Sequence, residues 1–506
     1  MKELQAIIDS LEPDFKKDFE NLLLARGVNQ PKDHQRRDLS LFNSLNKKED
    51  CELDELIEKI YGSLDDRSRN AFHAVKKRLK SDLRKFVVER EAAESIQTVD
   101  GWIVYAKYLF DHNYSEIAWR ALEKAESIGI REELSEKLNE VYDCQLAHCH
   151  LPGAPELNDI ENKKSDIRQR IEEDDRILMA SASIRLLFKE VKLGISDIDL
   201  QELINRIMEQ YNLHEAVQRR PKVMFEFVTL VRSAFVARKD FLNLEPFLVF
   251  HADRLFSKEQ FVSRHPQLKA KLVYYLAHTY YRNRNFPASL AMIETLLSDL
   301  KKMKKRYRSD LFPKAILLKA AVQSFSDQNE KSIEILNEAA ESEFFKRPNA
   351  DRLNLRLNLA VYYFHESDFR SANKMLLQLP NTDKWCERTM GQEWMLKRSL
   401  IEMITQVEMG NTEIALNRIR SIQRKYRSLM ERSKYELVRP FLQMVKSVVA
   451  YPERVNEKVY QEKIKPTFVI RDSSEEDLQA MTYYAWLKSK FTERPYYETL
   501  LELVNR

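Results

Sequence analysis

Apolar side chains recur along this chain at intervals of three and four residues, the period of a helix with one buried face. The pattern is sharpest from Leu268 to Leu297, LKAKLVYYLAHTYYRNRNFPASLAMIETLL. Its first half puts Leu276, Ala277 and Tyr280 on one side, and its second half returns Phe286, Ser289, Ile293 and Leu296. Two antiparallel helices with a turn at Arg282–Asn285 satisfy both halves, and the small side chains of Ala277 and Ser289 let the backbones approach. Upstream, the same reading predicts a helix over 1–25 that Pro13 can split, then a polar loop over 26–38. A short helix near Leu39–Leu45 follows, then one over Leu53–Tyr61 stopped by Gly62. A long helix from Arg67 to about Glu94 carries Phe72, Val75, Leu79, Leu83, Phe86 and Val87 on its apolar face. Together these form an N-terminal helical module, 1–95.

A second hairpin, GWIVYAKYLFDHNYSEIAWRALEKAESIGI, has Trp102, Ala106 and Leu109 on its first helix and Ala118, Leu122 and Ala125 on its second. It belongs to a segment 96–150. Residues 131–149 read as helical, and LPGAPELNDIENKK, 151–164, reads as a linker. Long helices are predicted over Asp166–Lys192 and Asp199–Tyr211, opening an array that extends over 166–506. Within it the small position of each first helix falls at Ala234, Ala277, Ala320, Ala360, Met403, Val445 and Ala485, in steps of 43, 43, 40, 43, 42 and 40. After a non-helical interlude at 465–478, the final pair LQAMTYYAWLKSKF and RPYYETLLELV reads as the cap of the array, with Lys488, Lys490 and Glu498 on its polar side.

Three of these hairpins carry a shared pattern. Trp102, Ala106, Leu109, Ala118 and Ala125 fill it once. Leu276, Ala277, Tyr280, Phe286 and Ser289 fill it again, and Leu359, Ala360, Tyr363, Phe369 and Ala372 repeat that spacing. The pattern resembles the tetratricopeptide repeat family, although the step here is longer than the family's roughly 34 residues. The resemblance implies an all-α, right-handed α-solenoid of antiparallel helix hairpins, a tetratricopeptide-like superhelix, behind the N-terminal module. It further implies that first helices line a concave face where peptides or helices dock. Carried onto this chain, the groove positions are Lys271, Tyr274, His278, Tyr281 and Arg282, then Asn354, Leu357, Val361, Phe364 and His365, and Lys397 in the next repeat. Cations and an amide there suit a carboxylate or an acidic segment, and the rings suit apolar anchors. In the N-terminal module, the order of short helix, turn and long basic helix resembles a helix-turn-helix domain.

Composition agrees with helices. Gly occurs 8 times and Pro 15 times in 506 residues, against an average Gly usage of about 7%. Gly-looped nucleotide binders and turn-rich sandwiches are hard to build from so little Gly. Charged residues make up 32% of the chain and aromatics 10%, which suits helices with one charged and one aromatic-rich face. The net charge of +4 does not by itself call for nucleic acid. Four irregularly spaced Cys, an acid-interrupted N-terminus and no run of about eighteen apolar residues predict free thiols, a cytoplasmic location and no membrane partner.

Candidate chemistry is sparse. Cys144, His148, Cys149 and His150 form a C-x3-H-C-H cluster, but no second pair lies near in sequence, so a helix end with buried thiols outweighs a metal site. The basic stretches 76–85, 301–308 and 418–439 read first as solvated helix faces. The acids Glu172–Asp175 read as complements to a helix N-terminus. No Gly-rich phosphate loop, G-x-S-x-G or H-E-x-x-H occurs. The expectation is therefore a non-catalytic scaffold or adaptor without cofactor or metal, binding another protein in its groove. The alternative is nucleic-acid binding or regulation through the three basic stretches.

Overall fold

The computed structural model describes the chain except for residues 1–3, 6, 9–10, 12, 26–36, 47–52, 96–98, 193–199, 304, 347–348, 380–381, 432–434, 436, 451–477 and 506. The predicted loop at 26–38 and the interlude at 465–478 therefore fall almost wholly outside the described residues. Among the described residues there is no strand, so the architecture is all-α. The chain divides into two compact units, Met1–Ile171 and Glu172–Arg506.

In the first unit, helices α1 (Pro13–Ala25), α2 (Arg37–Asn46), α3 (Leu53–Tyr61) and α4 (Asp66–Ser95) enclose one core. Leu4, Ile8, Phe19, Leu23, Phe42, Ile57, Phe72, Leu79 and Leu83 fill it, with the Phe19 and Phe42 rings edge to face at 5.2 Å. Pro13 opens α1, where its missing N–H costs nothing. The apolar stripe predicted for the long helix faces inward. Next come α5 (Val99–Asp111), α6 (Ser115–Arg131) and α7 (Ser135–Ala147). Ala106, Ala118, Leu122 and Ala125 meet in the α5–α6 seam, and Trp119 donates from Nε1 to the Pro152 carbonyl at 3.1 Å.

Helix α8 (Leu157–Lys192) corrects two expectations. The chain is already helical through most of 151–164, so the linker shrinks to a few residues. The acids at 172–175 consequently lie four turns into the helix, not at its N-terminus. Glu173, nearly buried, instead accepts from Arg219 and Arg220, and Asp174 pairs with Arg220 at 2.8 Å. These bonds tie Glu173 and Asp174 to the start of the array within the second unit.

The second unit continues with α9 (Leu200–Gln210), α10 (His214–Arg219), α11 (Pro221–Arg238), α12 (Phe241–Phe256) and α13 (Glu259–Arg264). Then follow α14 (Pro266–Arg282), α15 (Phe286–Lys301), α16 (Lys305–Phe325), α17 (Asn329–Ala340), α18 (Glu343–Lys346), α19 (Ala350–His365) and α20 (Phe369–Leu377). The last are α21 (Asp383–Glu408), kinked at Gly391, α22 (Thr412–Lys425), α23 (Val438–Ala450), α24 (Leu478–Thr492) and α25 (Tyr496–Val504). Helices pair as hairpins α11–α12, α14–α15, α16–α17, α19–α20 and α21–α22. First helices also stack on one another, α14 on α16, α16 on α19 and α19 on α21, which makes the unit a solenoid of hairpins.

The repeated small position is where the hairpins close. Ala234, Ala277, Ala320, Ala360, Met403, Val445 and Ala485 are all at most 1% exposed. Opposite them, the Ser289 and Ser332 hydroxyls donate to the Ala277 and Ala320 carbonyls, each at 2.8 Å, so these buried polar groups are satisfied. Seven residues after the small position comes a left-handed residue: Asn113 after Ala106, Arg284 after Ala277, Asp327 after Ala320, Ser367 after Ala360 and Gly410 after Met403. The following helix is then capped, with Asn285 accepting from the Ala288 amide and Asp368 from the Ser371 amide.

Candidate functional site

The first helices of the array carry the positions expected to bind a partner, and the structure separates them into groups. Lys271, Tyr274, His278 and Arg282 share one half-buried stripe of α14. Lys271 faces Glu226 of α11, whose carboxyl is pushed up by burial and drawn back by Lys222 and Lys271. Tyr274 and His278 have ring centres 6.2 Å apart, and the Arg282 guanidinium lies 4.7 Å over the Phe241 ring. Asn354 accepts from Trp394 Nε1 at 3.0 Å, so it serves α19–α21 packing. Leu357 and Val361 pack into the core beside α21, while Tyr281, Phe364, His365 and Lys397 meet the C-terminal part of the chain.

That part is the C-terminal pair α24–α25. It was expected to cap the end of the array, but it lies against the first helices of several earlier hairpins. Leu478, Met481, Ala485, Leu500, Leu503 and Val504 share a core with Ala277, Tyr281, Leu318, Val322 and Phe325. Trp486 and Leu487 join the core of Phe364, Ile404 and Phe441. No described residue of α24 from Leu478 to Phe491 is exposed, and this burial is the main source of the pair's hold.

Polar ties fix its position. Arg284, the left-handed turn residue after α14, donates from Nη1 to the Val504 carbonyl at 2.9 Å. That carbonyl ends α25, where a cation is favoured by the helix dipole. Glu408, at the end of α21, accepts from Trp486 Nε1 at 2.6 Å and pairs with Lys490 at 2.5 Å. The Tyr483 hydroxyl donates to the Lys397 carbonyl at 2.9 Å, and the Tyr497 hydroxyl to the Ser324 carbonyl at 2.6 Å. Lys397 thus contributes its main chain here.

Phe364 and His365, 0% and 3% exposed, lie beneath the pair and do not line an open groove. Phe364 meets Tyr496 edge to face at 5.2 Å, and the His365 ring stacks on Tyr497 at 5.6 Å. His365 Nδ1 is 3.0 Å from Ser324 Oγ, which in turn donates to Asn329 Oδ1 at 2.8 Å. Its Nε2 is buried with no hydrogen-bond partner among the described residues. Burial pushes the imidazole down to about 3.

The other candidates have local roles. His148 Nδ1 lies 2.9 Å from the Cys144 carbonyl, and its ring stacks on Phe110 at 4.1 Å, so it closes the end of α7. Cys144, Cys149 and Cys386 are free thiols. Among the described residues no three His, Cys, Asp or Glu side chains converge as metal ligands. The basic stretches are partly matched by acids: Lys305 with Glu343, Arg418 with Glu402, Lys425 with Glu387 and Arg439 with Glu431. On α4, Lys77, Arg78, Arg84 and Lys85 are exposed. Among the described residues no helix is long and apolar enough to cross a membrane.

No family model and no curated protein matches the chain. Among solved structures, the apo form of RapI is similar with a TM-score of 0.43 and 12% identity, over 74% of this chain and 94% of that one.

Proposed function

We propose that the repeat array is a non-catalytic, cytoplasmic scaffold that holds another protein by a helical segment on the face of its first helices. The observation that carries this reading is the C-terminal pair: the face already receives a helix pair through apolar contacts and specific polar ties. Helix-in-groove recognition uses the same elements, an apolar stripe for affinity and a few placed polar groups for register. The resemblance of three hairpins to tetratricopeptide repeats supports it from the sequence side. Lys271, His278 and Arg282 lie against the preceding hairpin, and Tyr274 of the same stripe borders the core shared with the C-terminal pair, so a longer occupant would extend the contact along it.

Charge reversal on that stripe tests the reading. Lys271→Glu with Arg282→Glu should reduce capture of the native partner at least tenfold in a cross-linked pull-down, with far-UV circular dichroism unchanged. Recovery of the same proteins in the same amounts by the variant would remove the stripe from the binding surface.

A further inference from the structure

The C-terminal pair is held differently from the hairpins of the array. Neighbouring hairpins pack with their backbones close, as α15 does on α16 and α17 on α19. Helices α24 and α25 pack that closely on each other, but meet the array helices through side chains, without close backbones. Beside the apolar core of Leu478, Met481, Leu500 and Leu503, Tyr483, Trp486, Tyr496 and Tyr497 add ring and hydrogen-bond contacts from the pair, and Arg284 and Glu408 answer from the array.

Each polar tie is also one that a helix from another chain can make. Arg284 reads a helix's last carbonyl. Glu408 reads an indole N–H and an ammonium one helical turn apart, Trp486 and Lys490. The carbonyls of Ser324 and Lys397 take any well-placed hydroxyl. Against these stands His365, whose Nε2 has no hydrogen-bond partner among the described residues while the pair is seated. An acceptor in that state is better off when water or another donor reaches it.

We propose that residues 478–504 are an exchangeable occupant of this face. A partner's amphipathic helix pair, bearing an aromatic residue and a lysine four positions apart beside an apolar stripe, takes the same seat once the chain's own pair has left it. The existence of a partner rests on the scaffold reading above; the exchange itself does not. An internal occupant lowers a competitor's apparent affinity by the fraction of time the seat is empty, so a seat free about one hundredth of the time weakens binding about 100-fold.

A fluorescein-labelled synthetic peptide spanning 478–506 tests this by anisotropy against the full chain. The double variant Trp486→Ala, Tyr497→Ala weakens the chain's own pair and leaves the seat intact. It should bind the peptide at least tenfold more tightly than wild type, and adding Glu408→Lys should abolish the gain. Equal affinity for wild type and the double variant, both fully helical, would overturn the proposal. If the double variant fails to fold, hydrogen exchange on the wild-type chain decides. Amides of 478–504 should then exchange at least tenfold faster than those of 266–282 and 350–365, and exchange in step with them overturns it. Peptide exchange with no host protein captured would sink the scaffold reading alone. Capture without exchange would sink this proposal alone.

Discussion

His365 shows how a single side chain can tie stability to acidity. Burial under Tyr496 and Tyr497 keeps it neutral and holds its pKa near 3, whereas in the unfolded chain a histidine titrates near 6.5. Below about pH 6.5 the unfolded state therefore binds a proton that the folded state refuses. Stability from this group is complete above that pH and is lost as the pH falls toward 3. His251, pushed down to about 4 by burial and Arg254, acts in the same direction. Between pH 7 and pH 5 the urea unfolding free energy should fall by about 1 kcal/mol or more per such group. His365→Phe should make that fall shallower, and an unchanged slope would show that His365 does not titrate with folding. The sequence marked His365 as a position of interest through the repeat register. It could not reveal that a ring from more than a hundred residues downstream covers it.

At the scale of the helix hairpin, closure depends on a left-handed residue seven positions past the small one. For a residue with a Cβ that conformation costs about 1–2 kcal/mol, and the chain accepts it at Arg284, Asp327 and Ser367. Only in the α21–α22 hairpin does glycine stand there, at Gly410, with φ of 75° and open space where a Cβ would go. Two substitutions should therefore move thermal stability in opposite directions. Ser367→Gly should stabilise by a few tenths to about 1 kcal/mol, and Gly410→Ala should destabilise by about 1 kcal/mol from backbone strain alone. Calorimetric melting of both variants checks this, and a shift of the same sign in both would refute the account. The buried small positions were legible because size and period act together: Ala277 and Ala360 cannot be exchanged for larger residues without parting two helices. The turn residues were not legible, since Arg, Asp and Ser have no shared signature for positive φ. The acids at 172–175 misled for a related reason, because nothing before Asp166 announced that α8 starts at Leu157.

For the molecule as a whole, the sequence specified a helical stack but misplaced its final pair. The steps into Val445 and Ala485 fit a terminal cap as well as they fit helices laid across earlier repeats, and no periodicity separates the two. What decides it is long-range chemistry, such as Arg284 meeting the end of α25. Charge at this scale is nearly balanced, at +4, and several cations of the basic stretches are paired with acids. The chain should therefore leave a heparin column below about 0.15 M salt, since binding to phosphate or sulfate requires cations free to displace counterions. Retention well above that salt, lost on charge reversal at 301–308, would restore the nucleic-acid alternative.

Because α24 and α25 follow the array in chain order, the ribosome completes the stacked first helices before it makes the segment that covers them. At about 5–20 residues per second, Tyr281, Phe325 and Phe364 wait about ten to a few tens of seconds for Met481, Leu503 and Tyr496 to be synthesised. During translation the nascent array thus presents a bare apolar strip until α24 and α25 are made.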